Sequence, residues 1–293
     1  MAKRFGSASA FKAALESRLR KKSRESGIPF STLQLKFVME RLLARLFQDR
    51  ASPWLLKGGF AMDLRFRPQA RTTKDIDLSV FLVGPESGPT SPDLRDRLQA
   101  AAEADLGDYL TYRIGEPQVE LTNAPKGGSR YPCEAVLLGK TYARLHIDVG
   151  IGDALVGEPE PLIGDDVLDF AGIEPAKVLA IPKALQFAEK AHAYSFPWSG
   201  RPNTRTKDLV DLVLLIERGP PDPAEIRRAL DATFGTRQTH PLPESLPLPP
   251  ASWAGDFPGI ASEAGISTTH YLKAFTIVDS FWASLAVRGP QPS

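Results

Sequence analysis

The chain has 293 residues, 42% hydrophobic and 24% charged, with a net charge near +1. This is an ordinary globular composition with room for two lobes, and it excludes a global polyelectrolyte field. Cys133 is the single cysteine, which excludes an internal disulfide and suits a reducing cytoplasm; no run of membrane-spanning length and no apolar signal-peptide core near Met1 is present, so no membrane partner is expected.

Residues 1 to 25 carry Lys3, Arg4, Lys12, Arg18, Arg20, Lys21, Lys22 and Arg24 against Glu16 and Glu25. A basic amphipathic helix over about 8–25 can touch nucleic-acid phosphates, or can simply present a solvated face. A second helix is expected over 31–49, with Ser31-Thr32 as its cap. A short strand at 54–57 leads into Gly58-Gly59, a short amphipathic segment, an Arg/Lys connector and a strand over 74–83. In that strand Asp75 and Asp77 are two apart and share one face, with Ile76 turned to the other. Two carboxylates that close repel unless a cation lies between them, and Mg²⁺ is commonly held by one or two carboxylates plus substrate phosphates. The glycine pair upstream offers backbone N–H groups to a phosphate. A D-x-D alone also fits a solvated strand edge, and a lone Gly-Gly is usually a turn.

A helix is expected from Ser91 or Pro92 to about Asp105, followed by strands at 109–115, 131–138 and 142–151. This interleaving is that of a mixed α/β sheet. His146 and Asp148 share a strand face by alternation, although Asp148 also fits the start of a turn at Gly150. From Pro182 the pattern becomes helical, over 182–195, 206–218, 223–234 and 268–287. Lys190 then reads as a solvated lysine, and Asp208 as an N-cap with Asp211 in the first turn. The segment PLPESLPLPP at 241–250 favours an extended path, a structured surface crossing or a substrate-facing loop. There are no internal repeats.

The order of these pieces resembles the nucleotidyltransferase superfamily, in which a strand, a G-[GS] turn and a D-x-D strand follow one another. More closely, it resembles the AbiEii/AbiGii toxin family, through WLLKGGFAMDLRF, RTTKDIDLSV, the AEKAH stretch at 188–192 and RTKDLVDL at 205–212. A likeness to the mycobacterial MenT toxins of a type IV-like toxin–antitoxin system goes with it. The match covers roughly residues 50 to 217. The family usually has Ser or Thr after the glycines, where this chain has Phe60.

The resemblance implies an α/β (α+β) protein: a nucleotidyltransferase-like sheet lobe over 1–170, a mainly helical lobe over 171–293, and an active site in the cleft between them. It implies transfer of a nucleoside monophosphate from an NTP to an acceptor, with pyrophosphate released. Asp75 and Asp77 would hold Mg²⁺, with Asp148 as third ligand and two ions possible. Lys190 would neutralise the phosphates, and Asp211 would act as a base or orient Lys190. Nucleotide contacts would come from Lys57, Gly58, Gly59, Arg71, Lys74, Ser79 and Lys207, with Arg205 also near phosphate. The implied acceptor is the 3′ end of tRNA, whose modification would stop translation, and the implied partner is a cognate antitoxin. Two other classes stay open: an antibiotic-type enzyme acting on a small hydroxylated substrate, and a non-catalytic binding module that kept the fold.

Overall fold

The structure is a computed structural model and describes residues 5–49, 52–67, 73–80, 92–121, 124–198 and 200–286. It divides into two compact units, one formed by Met1–Leu64, Thr73–Gly152 and Glu160–Ala180, the other by Arg65–Thr72, Asp153–Pro159 and Ile181–Ser293.

The first unit opens with helix α1 (Ala8–Ser26), capped by the Ser7 hydroxyl, which accepts from the Ala10 N–H, and ended by Gly27 in the left-handed region. Phe11, Leu15 and Leu19, four apart, form its buried stripe. Its basic residues are partly committed. Lys12 and Arg20 pair with Glu16, Lys21 with Glu25 and Lys22 with Asp165, while the Arg18 guanidinium lies 3.8 Å from the Phe170 ring centre. Helix α2 (Phe30–Leu46) buries Arg41 and Arg45 against Asp108, with Arg41 Nε and Arg45 Nη2 donating at 2.7 and 2.6 Å. Burial alone would raise the Asp108 pKa, but the two guanidinium groups bring it below its ordinary value.

One eight-stranded mixed sheet lies beneath these helices. In chain order its elements are β1 (Trp54–Lys57), α3 (Gly58–Phe66), β2 (Asp75–Val80), α4 (Pro92–Ala102), β3 (Thr111–Ile114), β4 (Val119–Glu120), β5 (Gly128–Leu137), β6 (Lys140–Ile151), β7 (Glu160–Ile163) and β8 (Lys177–Ala180). The strand order is β3-β5-β6-β2-β1-β8-β7, with β4 on β5. The β2–β6 and β1–β8 pairs are parallel and the others antiparallel. Ile76, Ile147 and Tyr131 lie in one row across β2, β6 and β5, Leu56, Leu78 and Val149 lie in another across β1, β2 and β6, and both rows join α1, α2 and α4 in a single core. The row between them, on the opposite face, is charged.

The second unit holds α5 (Lys183–Ser195), α6 (Thr206–Glu217), α7 (Pro223–Arg237), α8 (Phe257–Ala264) and α9 (Tyr271–Ala286). Helix α5 packs on α6 and α7, and α6 on α8 and α9. Asp222 caps α7 by accepting from the Ala224 and Glu225 N–H groups. Residues 241–250 have no regular structure but are anchored: Leu246 is buried, and the Tyr194 hydroxyl donates to the Pro247 carbonyl at 2.7 Å.

The sequence pattern does not reveal every element. Strands β4, β7 and β8 have only two to four residues, too few for alternation to register, and α8 carries Pro258 and Gly259 in its first turn. The segment after Gly58 is a full helix, α3. Residues 81–83, expected to extend β2, lie outside the described residues. No helix among the described residues is long and apolar enough to cross a membrane.

Candidate active site

The site begins where β1 ends. Gly58 follows Lys57 directly and takes φ +65°, the left-handed region that favours glycine. A Cβ there would stand 2.5 Å from Cγ and 2.8 Å from Cβ of Asp77, and nearer still to Oδ2. Gly58 is thus needed twice, for its backbone angle and for the space the Asp77 carboxylate occupies. Gly58 and the buried Gly59 open α3, so the N-terminal N–H groups of this helix lie beside the D-x-D strand.

Register then assembles the charged row. Asp77 lies opposite Lys57 on β1 and opposite Asp148 on β6, and Asp148 lies opposite Arg130 on β5. The four side chains form a line across the sheet: Lys57, Asp77, Asp148, Arg130. Asp75, two residues before Asp77 on the same face, lies opposite His146. Its carboxylate is 3.4 Å from His146 Nδ1 and 3.8 Å from Arg130 Nη2. Arg130 holds Asp148 with a two-pronged pair, Nε to Oδ1 at 2.7 Å and Nη2 to Oδ2 at 2.6 Å. The hydrogen bonds that Arg130 donates to Asp148, with Asp75 and Asp77 close by, raise the Arg130 pKa further above its already high value.

Asp75 and Asp77 suit Mg²⁺ by chemistry: both offer hard carboxylate oxygens from one face of one strand, and the space left by the missing Gly58 side chain is filled by one of them. Asp148 shares that face, but Arg130 takes both of its oxygens. No group of three or more His, Cys, Asp or Glu side chains among the described residues is gathered closely enough to hold a metal.

In the second unit, Lys190 on α5 sits between two carboxylates of α6, Asp208 Oδ1 at 2.9 Å and Asp211 Oδ2 at 2.7 Å. Asp208 also lies 3.5 Å from Arg205. The three-residue spacing of Asp208 and Asp211 puts both on one face of α6. Asp211 is fully buried, and the Lys190 side chain is only 13% exposed. This lysine is not a solvated surface group. Asp211 thus holds an ammonium at a fully buried position.

A family profile described as "Nucleotidyl transferase AbiEii toxin, Type IV TA system" matches residues 41–270. The chain belongs to this family. Among solved structures, it is similar to MenT4, a nucleotidyltransferase toxin from Mycobacterium tuberculosis H37Rv, with a TM-score of 0.61 and 14% identity over 94% of this chain and 90% of that one. JHP933 from Helicobacter pylori aligns with a TM-score of 0.44 and 14% identity over 87% of this chain and 94% of that one. A search of curated protein sequences gives no match.

As an AbiEii protein the chain is a nucleotidyltransferase of a toxin–antitoxin system. Its remaining expected nucleotide contacts fare unequally. Lys74 and Lys207 are exposed and Lys57 is half-buried. Ser79 shares a strand face with Asp77 and is 1% exposed. Phe60 is fully buried in the sheet core, so this departure from the family pattern serves packing. Arg71 lies outside the described residues. Two members of the arrangement escaped the sequence: Arg130, visible only once β5 is registered on β6, and Asp208 as a second holder of Lys190. The β5–β6 hairpin closed by Leu138-Gly139 would by its turn alone set 130 opposite 147, and the register shift between Ala135 and Val136 brings it opposite 148.

Proposed function

We propose that this AbiEii protein is a Mg²⁺-dependent toxin that transfers a nucleoside monophosphate from an NTP to the 3′ end of a tRNA, blocking translation, and that a cognate antitoxin restrains it. The observation that carries the reading is the fit of Gly58 against Asp77, which sets a helix N-terminus beside two same-face carboxylates. In the reaction an acceptor hydroxyl oxygen forms a bond to the α-phosphorus, the bond from that phosphorus to the bridging oxygen breaks, pyrophosphate leaves and the hydroxyl proton is lost. When bound, Mg²⁺ supplies electrostatic stabilisation of the charge that develops on the phosphates.

Asp75 and Asp77 are the residues to hold that ion, and Asp148 joins them if Arg130 releases it. The N–H groups of Gly58 and Gly59, with Lys57 and Lys74, receive phosphate oxygens. Lys190 supplies fixed positive charge. Asp208 and Asp211 orient it, which favours the orienting role for Asp211 over that of a base. Lys207, exposed on α6, is available for a further phosphate contact.

The test is incubation of the purified protein with each labelled NTP, Mg²⁺ and total cellular RNA. Label in RNA of tRNA size is the expected result. Label only in a small product, or none with any NTP, overturns the acceptor or the reaction respectively.

A further inference from the structure

Three carboxylates, Asp75, Asp77 and Asp148, occupy one face of two neighbouring strands. Like charges at such spacing destabilise one another unless a cation is shared among them. In this structure Arg130 serves that purpose: it grips Asp148 with two hydrogen bonds and brings the same Nη2 to 3.8 Å from Asp75. A guanidinium keeps its proton throughout the accessible pH range, so its charge is removed from Asp148 only by movement of the side chain. That side chain is about one-third exposed, so it has open space on one side. The planar fork that fits a carboxylate fits phosphate oxygens equally well.

A cross-strand ion pair of ordinary kind would also stabilise the β5–β6 hairpin slightly. Two features set Arg130 apart. It spans two of the three acids, where a structural pair would need only one. Its partner Asp148 lies directly opposite Asp77, so Arg130 and a metal ion would draw on the same oxygens.

We infer that Arg130 is a positioning residue that competes with the metal for Asp148, holding the nucleotide-free centre closed to free Mg²⁺ and leaving Asp148 for a triphosphate when a nucleotide arrives. This rests on the reading of Asp75 and Asp77 as the metal-holding pair. It makes the centre selective for metal delivered with nucleotide over metal alone. The triphosphate would offer Arg130 a substitute anion, and the Asp148 oxygens it gives up would then be open to hold the metal with Asp77. Free metal offers no such substitute.

The experiment measures Mn²⁺ affinity by paramagnetic resonance, with and without a non-hydrolysable NTP analogue. It uses the wild type, Arg130→Gln, Arg130→Lys and Asp77→Asn. In the wild type, Mn²⁺ is expected to bind weakly alone and much more tightly with the analogue. Arg130→Gln removes the competitor while keeping a long stem, and is expected to bind Mn²⁺ alone about tenfold more tightly, with the analogue adding less. Arg130→Lys keeps the charge but loses the fork, and is expected to fall between; it carries the comparison if Arg130→Gln does not fold.

Unchanged Mn²⁺ affinity in both Arg130 variants, with binding that Asp77→Asn still abolishes, overturns the role of Arg130 and leaves the metal-holding pair intact. Mn²⁺ binding that survives Asp77→Asn, or that is absent from all the proteins even with the analogue, overturns the metal-holding pair and the competition with it.

Discussion

Gly58 and Asp77 approach so closely that no side chain fits between them: a Cβ on Gly58 would lie 2.5 Å from the Asp77 Cγ. A turn residue and a carboxylate nineteen positions later therefore form one device. Gly58→Ala must strain a left-handed backbone and push Asp77 aside together. The strain is worth about 1–3 kcal/mol of stability. Transfer is expected to fall far more than stability does, because the displaced carboxylate is the proposed metal-holding group. Urea midpoints and initial rates on the same preparation check this, and a variant with full activity rules out the device.

Asp77→Ala removes one of three acids from a shared face. The fold is expected to persist, with a melting temperature close to that of the wild type, while transfer drops by about a thousandfold or more. Mg²⁺-dependent transfer retained by the folded variant would show that the carboxylates serve another purpose.

Lys190→Ala leaves Asp208 and Asp211 buried without their ammonium. Losing one partner of a buried ion pair costs roughly 3–5 kcal/mol. Both stability and activity should therefore fall. Lys183→Ala on the same helix, at a partly exposed position, is expected to cost less in both. Lys190→Arg separates the two roles: it restores charge and much of the stability, but not full transfer. Equal, small effects at Lys183 and Lys190 would remove Lys190 from the transfer reaction.

His192 predicts the pH response of the helical unit. Burial, reinforced by Arg237 and His240, pushes its pKa down to about 3, while Asp153 acts in the opposite direction. Its Nε2 is hydrogen-bonded to Thr239 Oγ1 at 2.9 Å, and the Thr239 hydroxyl also meets His240 Nδ1 at 3.0 Å. His240 is lowered by burial as well. The folded state therefore keeps His192 neutral, while the unfolded chain protonates near pH 6.5. In that window the unfolded state binds more protons, so stability rises with pH. The His192 contribution is complete above about pH 6.5 and declines as pH falls toward 3. Denaturant midpoints at pH 7.5 and 5.5 should differ in that direction, and His192→Gln should flatten the difference. A midpoint equal at both pH values would contradict the assignment.

The acceptor makes a further demand. RNA held through its backbone binds less tightly as salt rises, whatever its sequence. On α1, Lys22 is tied to Asp165, so its reversal would report on folding. Lys21 and Arg24 are exposed and give the cleaner test. Reversing both is expected to weaken tRNA binding about equally across tRNA species and to reduce the salt slope. A wild-type affinity indifferent to salt, or unchanged on reversal, would remove α1 from the docking surface.

What the sequence determined by itself is local. Period-two alternation set Asp75 and Asp77 on one face of β2, the adjacent glycines marked where β1 ends, and apolar spacing marked α1, α2, α5, α6 and α7 near their observed limits. What only the tertiary structure decided is depth and partnership. Ser79 and Asp77 share a face by the same alternation, yet Ser79 is buried and Asp77 is not, because alternation fixes the side of a sheet and says nothing of what covers each end of a strand. Lys190, Asp208 and Asp211 were each legible as helical residues, but the packing of α5 on α6 turned a solvated lysine into a half-buried one with two buried counter-ions. Arg130 meets Asp148 through strand register, a property of two segments together. Charges of opposite sign attract over a few ångströms in space and have no period in sequence, so the cation that balances the acidic face appears only when the sheet is assembled.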